Sequence, residues 1–468
     1  MADIFLLFSA FLAFALITTW LLKRFAGAQT FYVASLVRTT KLLPLLDRPL
    51  FLGKWLDRLC DLGFVLGFGA LAVDYLHGRK RKLWQRAGIF VVSSALLFIF
   101  FETVFAAILS NPFIAGEQRL LSVFFALSGF AGFTVASLAA YAVFIISNSL
   151  AGQAVCPGIA PIIPGVDIPK VPVSVPLHAW ISFFIILAVH EGMHGVLAKR
   201  FKVKIKSAGL LLLGILPIGA FVEPDEEKLK KIKHRNAIRI FCAGPTANLL
   251  SVLAIIIAAN LVVALVLMPF VFPQAQKIRN GISAGIFVGE VEKEIGFCGK
   301  KYSSPASGIL EKGMQIVAVN GVKVKTLAEL VPKLQEKAAN TFTVLDAQGN
   351  VSKKTIVPNE LGQLGFAVEE KQKENAVVPQ WYKAYSEIAS FLASFFVWLA
   401  ILSILVGIVN FLPVEPFDGG KIAKLLLLPY FSFAKMPEED TKKLIGRILA
   451  WLVLSLLVIN ALPFILPF

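Results

Sequence analysis

His190, Glu191 and His194 stand in the spacing His-Glu-x-x-His, at the end of an apolar run that begins at Trp180. On a helix, residues i and i+4 share a face, so both imidazoles can point at one metal ion. Glu191 follows the first histidine, where its carboxylate can reach a water on that ion as general base. Zinc suits two imidazoles and a carboxylate, with one position left for water. The motif also arises by chance in soluble sequences. Here it lies in an apolar helix, where ionisable groups are costly and by default functional. Two of the five histidines in the chain fall in this one stretch. The others, His77, His178 and His234, sit in or beside loops, and His178 is about three turns before His190, too far along the helix to share its ion. The third ligand is better sought far down the chain. Asp418 follows Pro413 and Pro416 and precedes Gly419 and Gly420, a composition that breaks a helix and lets backbone approach a site closely. A carboxylate at such a break can ligate a metal or cap the helix that follows, and the two roles do not exclude each other.

The elements that must hold these residues are membrane helices. Of 468 residues, 57% are hydrophobic and 16% charged, against about 45–50% and about 25% in soluble domains. Apolar runs near 2–22, 89–110, 120–147, 178–198, 236–268, 385–412 and 445–466 have the length a spanning helix needs. The stretch 58–76 is a weaker candidate, being short, Gly-rich and carrying Asp61 and Asp74. Residues 25–57 mix Leu and Phe with Arg and Lys, as in a segment lying along the bilayer surface. The first run is followed by Lys23 and Arg24 and lacks a basic leader and a cleavage site, so it reads as a retained helix. The formal charge of +16 resides largely in short loops between apolar runs and comes with no nucleic-acid motif. It points to cytoplasmic loops and anionic lipid, and no nucleic-acid partner is expected. Cys60, Cys156, Cys242 and Cys298 are scattered without a Cys-x-x-Cys pair, so they suggest neither a thiolate metal site nor an oxidising compartment, and Cys242 reads as a small packing residue.

Two other stretches differ in kind. Residues 281–370 have ordinary polar composition and no long apolar run, which marks a soluble α/β insert. Within it, Ile316 to Val319 has the length and branching of a strand and ends in the turn signal Asn320-Gly321. Thr326 to Glu336 reads as a helix capped by Thr326 and weakened by Pro332. The segment 148–177 is rich in Pro and Gly yet apolar, so it reads as looped chain that dips into the membrane or covers something.

Taken together, the motifs resemble the site-2 protease family of intramembrane zinc metalloproteases. Three of them stand in that family's order: the His190–His194 motif, then Ala243-Gly244-Pro245-Thr246-Ala247-Asn248, then Asn410, Pro413, Asp418 and Gly419 in the pattern Asn-x-x-Pro-x-x-x-x-Asp-Gly. The resemblance covers roughly 178–268 and 385–425, and extends to a segment near 157–168. It implies a zinc ion on His190, His194 and Asp418, Glu191 as the base, and Asn410 holding the substrate carbonyl or oxyanion. Residues 281–370 are similar to a PDZ domain through Ser304-Pro305-Ala306, the stretch from Gly308 to Gly313, and the strand ending at Gly321. Such a domain would bind a peptide tail, gate the membrane site, or merely act as a spacer. The stretch 210–221 resembles the β-like segment that the family places between its first two core helices, where an edge could receive an extended substrate, with Glu223 as a weaker contact.

The expected architecture is a mainly α, polytopic helical bundle with an inserted α/β PDZ-like domain. Residues 1–150 form accessory helices, 151–177 a loop, 178–268 the first two core helices, 281–370 the insert, 385–430 the third core helix with its ligand loop, and 431–468 a last helix. The expected reaction is hydrolysis of peptide bonds in or near single-span membrane substrates, in the cell membrane of a prokaryote with the site toward the cytoplasm. The basic loop 199–235 supports that orientation. The run Arg79-Lys80-Arg81-Lys82 conflicts with it, since counting two spans back places that run outside. Either a helix is miscounted or 148–177 re-enters the membrane. Glu102 is an intramembrane acid without an identifiable partner. Two rival readings are an ion transporter using its intramembrane acids and histidines, which would show inverted repeats, and an inactive scaffold bearing the PDZ-like domain.

Overall fold

The computed structural model describes residues 2–465 except 42, 109–117, 154, 169, 172, 215, 298–299, 336 and 374. The helices are α1 (Ala2–Ala26), α2 (Lys54–Val73, continued as a π turn to Gly78), α3 (Leu83–Ile108), α4 (Gln118–Leu150), α5 (Ala179–Arg200), α6 (Glu226–Lys231), α7 (His234–Val262), α8 (Phe272–Ile282), α9 (Leu327–Leu330), α10 (Gln380–Val409), α11 (Asp418–Leu427) and α12 (Glu438–Ile465). Among the described residues, seven helices are long and apolar enough to cross a bilayer: α2 with its continuation, α3, α4, α5, the run from α7 into α8, α10 and α12. The chain is a multi-pass integral membrane protein. The run His234–Arg279 holds 46 residues, about 69 Å of helix against a hydrocarbon core of about 30 Å. It therefore extends past the membrane and carries the soluble insert.

Two of these helices bend sharply instead of running straight. At Gly69 (φ 58°, ψ −143°) α2 leaves helical geometry. Phe64 and Tyr75 then meet with ring centroids 5.8 Å apart, although eleven residues of straight helix rise about 16 Å. Before the bend, Asp57 and Asp61 bind Arg200, Arg235 and Arg239. After it, Ala72 and Tyr75 pack in one cluster with Ala237 and Ile238. Both arms of α2 lie beside the start of α7, so α2 doubles back. Helix α4 does the same at Ser128 and Gly129 (φ 61° at the glycine). The Phe101 ring lies 4.1 Å from that of Phe125 and 5.3 Å from that of Phe133, two residues about 12 Å apart on a straight helix. Its second arm reaches the far end of α12, where Asn460 donates to the Leu138 carbonyl at 2.9 Å. The two bends nest against each other: a Cβ on Gly69 would sit 2.6 Å from Gly129 N, and one on Gly129 2.3 Å from the Leu66 carbonyl oxygen. Only glycine combines the positive φ with so close an approach.

This path corrects the span count. The 58–76 segment belongs to a doubled helix, and 120–147 comprises two arms of another, so Arg79–Lys82 lie on the same side as 199–235. The segment containing Cys156 lies on the opposite side, and Cys156 is disulfide-bonded, a pairing the scattered cysteines did not signal. Cys60 and Cys242 are free and buried, as packing residues are. Glu102 has a partner, the Ser122 hydroxyl, which donates to it at 2.5 Å.

The stretch 25–57 does more than lie on a surface. It forms β1 (Gln29–Phe31) and β2 (Ala34–Thr39), which extend the hairpin β3 (Ile205–Leu213) and β4 (Leu216–Pro224) into an antiparallel sheet of order β1-β2-β3-β4. The register sets Val37 opposite Leu210 and Leu210 opposite Ala220. One edge of β3 is thus covered, and β4 is left as the edge strand beside α5. The insert contains β5 (Ser283–Val291), β6 (Glu294–Phe297), β7 (Lys300–Ser303), β8 (Gln315–Val319), β9 (Val322–Lys323), β10 (Asn340–Leu345), β11 (Val351–Ile356) and β12 (Phe366–Gln372). Its main sheet has order β11-β10-β8-β5-β12 around a core of Ile286, Val288, Ile316, Phe342 and Val344. Asn320 and Gly321 both have positive φ and turn β8 into β9, as the dipeptide predicted. The expected 326–336 helix is shorter: α9 gives way at Val331 to a single 3-10 turn ending at Lys333, because Pro332 cannot continue it. Glu336 lies outside the described residues.

Candidate metal centre

Helix α5 carries the first half of the site. Its C-terminal Lys199 and Arg200, favourable at that end of a helix dipole, are anchored by Asp47 and Asp57 at 2.8 and 2.7 Å. His190 and His194 project from one face with ring centroids 4.8 Å apart, and His190 is buried. Helix α7 presses closely on them. A Cβ at Gly244 would lie 2.5 Å from His194 Nε2 and 2.6 Å from His190 Nε2. The absent Cβ leaves room for both ring nitrogens.

The second half comes from the break between α10 and α11. Asp418 Oδ2 stands 3.2 Å from His190 Nε2 and 3.0 Å from His194 Nε2. It is the first residue of α11, so helix start and cluster member coincide, while Phe417 takes the N-cap position. The loop is drawn tight by Gly419 N, which donates to the Asn410 carbonyl at 2.7 Å. A Cβ on Gly419 would meet Phe411 backbone at 2.3 Å, and one on Gly420 would meet Glu415 N at 2.4 Å. Asp418 is itself buried, 6% exposed. Its other oxygen, Oδ1, lies 3.3 Å from Lys421 Nζ.

These donors fit a metal ion. A tetrahedral centre with bonds of about 2.0–2.1 Å keeps its donors about 3.3 Å apart, close to the spacing between Asp418 and the two imidazoles. The ring orientations agree. His194 Nδ1 is 2.6 Å from the Ile240 carbonyl, an acceptor only, so Nδ1 carries the proton and Nε2 offers a lone pair. At His190, Asn248 Nδ2 lies 3.0 Å from Nδ1, while among the described residues the buried Asn248 Oδ1 finds no partner. Turning the amide over lets Oδ1 accept from Nδ1–H and frees His190 Nε2 as a ligand too.

Glu191 reaches the same space from the other side, with Oε2 accepting from the backbone N–H of Val222 on β4 at 3.1 Å. His190, Glu191 and His194 each offer a donor atom, all within 4.8 Å of one another. A cavity of about 110 Å³ lined by Glu191, His194, Val222, Phe241, Asp418 and Lys421 gives onto a wider one of about 760 Å³ that shares Val222, Pro224, Phe241 and Lys421 with it. Glu223 lines the wider cavity and accepts from Ser207 at 2.8 Å. Asn410 is close in chain but turned away: its Nδ2 donates to the Val406 carbonyl at 2.9 Å, and its own carbonyl serves the loop. His178 is held by Ser394 at 3.1 Å, and His234 by Glu438 at 3.0 Å. Asn248 and Gly244 stood in a recognised motif without a role. Val222 and Lys421 carried no local signal, because only the packing of β4 and α11 brings them to the cavity.

Two imidazoles and a carboxylate, with a second carboxylate beside them, thus converge among the long apolar helices in an arrangement able to hold a metal ion. Residues 178–455 match the description "Peptidase family M50". The match takes in more than half of the chain, which belongs to peptidase family M50, the site-2 protease family of intramembrane metalloproteases. Membership in a peptidase family sets aside the transporter reading. The chain is also similar to protein MJ0971 of Methanocaldococcus jannaschii, itself uncharacterised, with 29% identity over 272 residues, covering 57% of this chain and 60% of the relative. The matched stretch is thus less than two thirds of that relative's length.

Proposed function

We propose that the protein is a zinc-dependent endopeptidase that cleaves peptide bonds in or near the transmembrane segments of membrane proteins. The observation that carries this reading is the convergence of His190 Nε2, His194 Nε2 and Asp418 Oδ2 at 3.0–3.2 Å beside Glu191. His190, His194 and Asp418 would hold a zinc ion there, which would supply Lewis acidity toward a scissile carbonyl and an attacking water. Glu191 accepts the proton of that water and delivers it to the leaving amine nitrogen. The Val222 N–H holds one Glu191 oxygen and leaves the other for this work. A substrate helix hides its peptide bonds in its own hydrogen bonds and must unwind to be cut. The edge of β4 beside Glu191 offers the unwound strand main-chain partners. Water arrives through the wider cavity, whose lining includes Arg38, Lys230 and Glu226. Asn410 serves the oxyanion once its amide turns from the Val406 carbonyl.

The 199–235 and 79–82 loops face the cytoplasm of a prokaryotic cell, which the shared side of these basic runs supports. The insert acts as a PDZ-like module outside, binding a peptide tail or gating entry. Regulated release of membrane-bound factors and clearance of signal peptides both fit this chemistry. The test compares zinc content and cleavage of a single-span reporter by wild type and Glu191→Gln. The expected result is zinc retained and cleavage reduced by about 10²–10⁴-fold. Unchanged cleavage removes Glu191 from the reaction, and absence of cleavage by wild type with zinc bound favours the scaffold.

A further inference from the structure

Residues 54–150 precede the stretch that matches the peptidase family, and nothing in the chemistry above uses them. Their two bends nevertheless end against the loop that carries Asp418. Phe411, which follows Asn410, is fully buried. Its ring lies 6.3 Å from Phe68 edge-on and 6.5 Å from Phe130 in a stack, so residues next to both bends grip it. A Cβ on Gly67 would come within 2.4 Å of the same ring. The backbone of Phe411 is in turn what Gly419, the neighbour of Asp418, rests on.

A second tie acts at the other end of the segment. Asp74, 2% exposed, accepts from Arg86 Nε and Nη2 at 2.7 and 2.6 Å, and from the Tyr430 hydroxyl at 2.5 Å. Tyr430 lies just beyond α11, and the Arg86 guanidinium stacks over its ring at 5.2 Å. Between the two ties, the buried face of α11 (Ile422, Ala423, Leu426) shares one cluster with Phe64, Phe68, Ala72 and Tyr75 of the doubled helix. An ion pair of this kind, with only Asp74 buried, adds little net stability but is demanding of geometry, which suits a part that fixes position.

Resting on the metal-centre reading of the preceding section, we propose that the doubled helices α2 and α4 are a positioning device for the third metal ligand, clamping residues 411–430 at both ends so that Asp418 meets His190 and His194. Phe68, Phe130, Asp74 and Tyr430 are its positioning residues. They touch neither substrate nor metal and act through Asp418.

The test uses the full-length protein in detergent, stripped of metal and titrated with Co²⁺, whose visible absorption reports coordination. Phe68→Ala and Tyr430→Phe are each made in the wild type and in Asp418→Ala. In the wild-type background both are expected to weaken Co²⁺ binding by about tenfold or more, as loss of an outer support does, and to alter the spectrum. In Asp418→Ala, where the ligand they position is gone, neither is expected to weaken binding further. Equal proportional weakening in both backgrounds overturns the proposal, because the clamp would then act through the histidines or the fold. No weakening in the wild-type background overturns it too. Should Phe68→Ala not fold, Phe68→Leu together with Tyr430→Phe decides by the same comparison. Failure of the unsubstituted protein to bind Co²⁺ at all overturns the metal-centre reading itself, a result distinct from either.

Discussion

Gly244 is the position where the smallest change should do the most damage. A methyl group there would sit 2.5 Å from His194 Nε2, 2.6 Å from His190 Nε2 and 2.7 Å from His190 Cδ2. These are about 1 Å short of van der Waals contact, which lies near 3.5 Å. Metal sites tolerate ligand displacements of about 0.2 Å, so relief by moving the imidazoles destroys the ligand geometry. Relief by moving α7 would instead pull the Ile240 carbonyl from His194 Nδ1 and Asn248 from His190. Either way Gly244→Ala should weaken zinc binding by about 100-fold or more, beyond the range seen when one outer partner is lost. Gly192 provides a matched control, because it lies within the His190–His194 motif yet a Cβ there meets nothing within 4 Å. Gly192→Ala should keep metal and gain up to about 1 kcal/mol of helix stability. The assay is metal competition against a chelator of known affinity, with thermal unfolding measured alongside. Full zinc affinity in Gly244→Ala would refute the reasoning, since it would mean that the ring nitrogens do not share the space beneath that glycine. Equal loss in both variants would point to general intolerance of α5 and α7 to substitution.

Two further outcomes follow from neighbouring contacts. Asn248→Leu, which removes the acceptor that sets the His190 tautomer, should lower zinc affinity about 10–100-fold in the same competition assay while leaving the overall fold intact. Val222→Pro removes the N–H that Glu191 accepts from, on the side of β4 away from β3. It should retain zinc while turnover of a single-span reporter falls at least several-fold, and equal turnover would free Glu191 from any dependence on the edge strand.

The histidines and Glu191 could be read from the chain because their geometry is local. Five residues of helix place two imidazoles on one face whatever the rest of the protein does. Asp418 was legible only as a type of residue at a type of break, and Asn410 only through resemblance. The structure brings Asp418 to the imidazoles and turns the Asn410 amide onto Val406. The two doubled helices illustrate a different limit. A hydropathy sum over 58–76 or 120–147 is the same whether the helix crosses or turns back, since composition carries no direction. The reversal rests on one glycine in each helix, and each glycine has its meaning only because the other is pressed against it.

From sequence alone, then, came the class of protein, the embedded His-Glu-His half of the centre, the soluble insert and its Asn320-Gly321 turn, all of which depend on neighbours a few residues away or on bulk transfer to lipid. The tertiary structure alone decided which nitrogen each imidazole presents, what Glu191 leans on, why Gly244 must be glycine, and how residues 29–39 come to extend the β3–β4 sheet. Those depend on contacts between segments tens to hundreds of residues apart, whose energies exist only once the chain has packed and which leave no periodic trace in the order of residues.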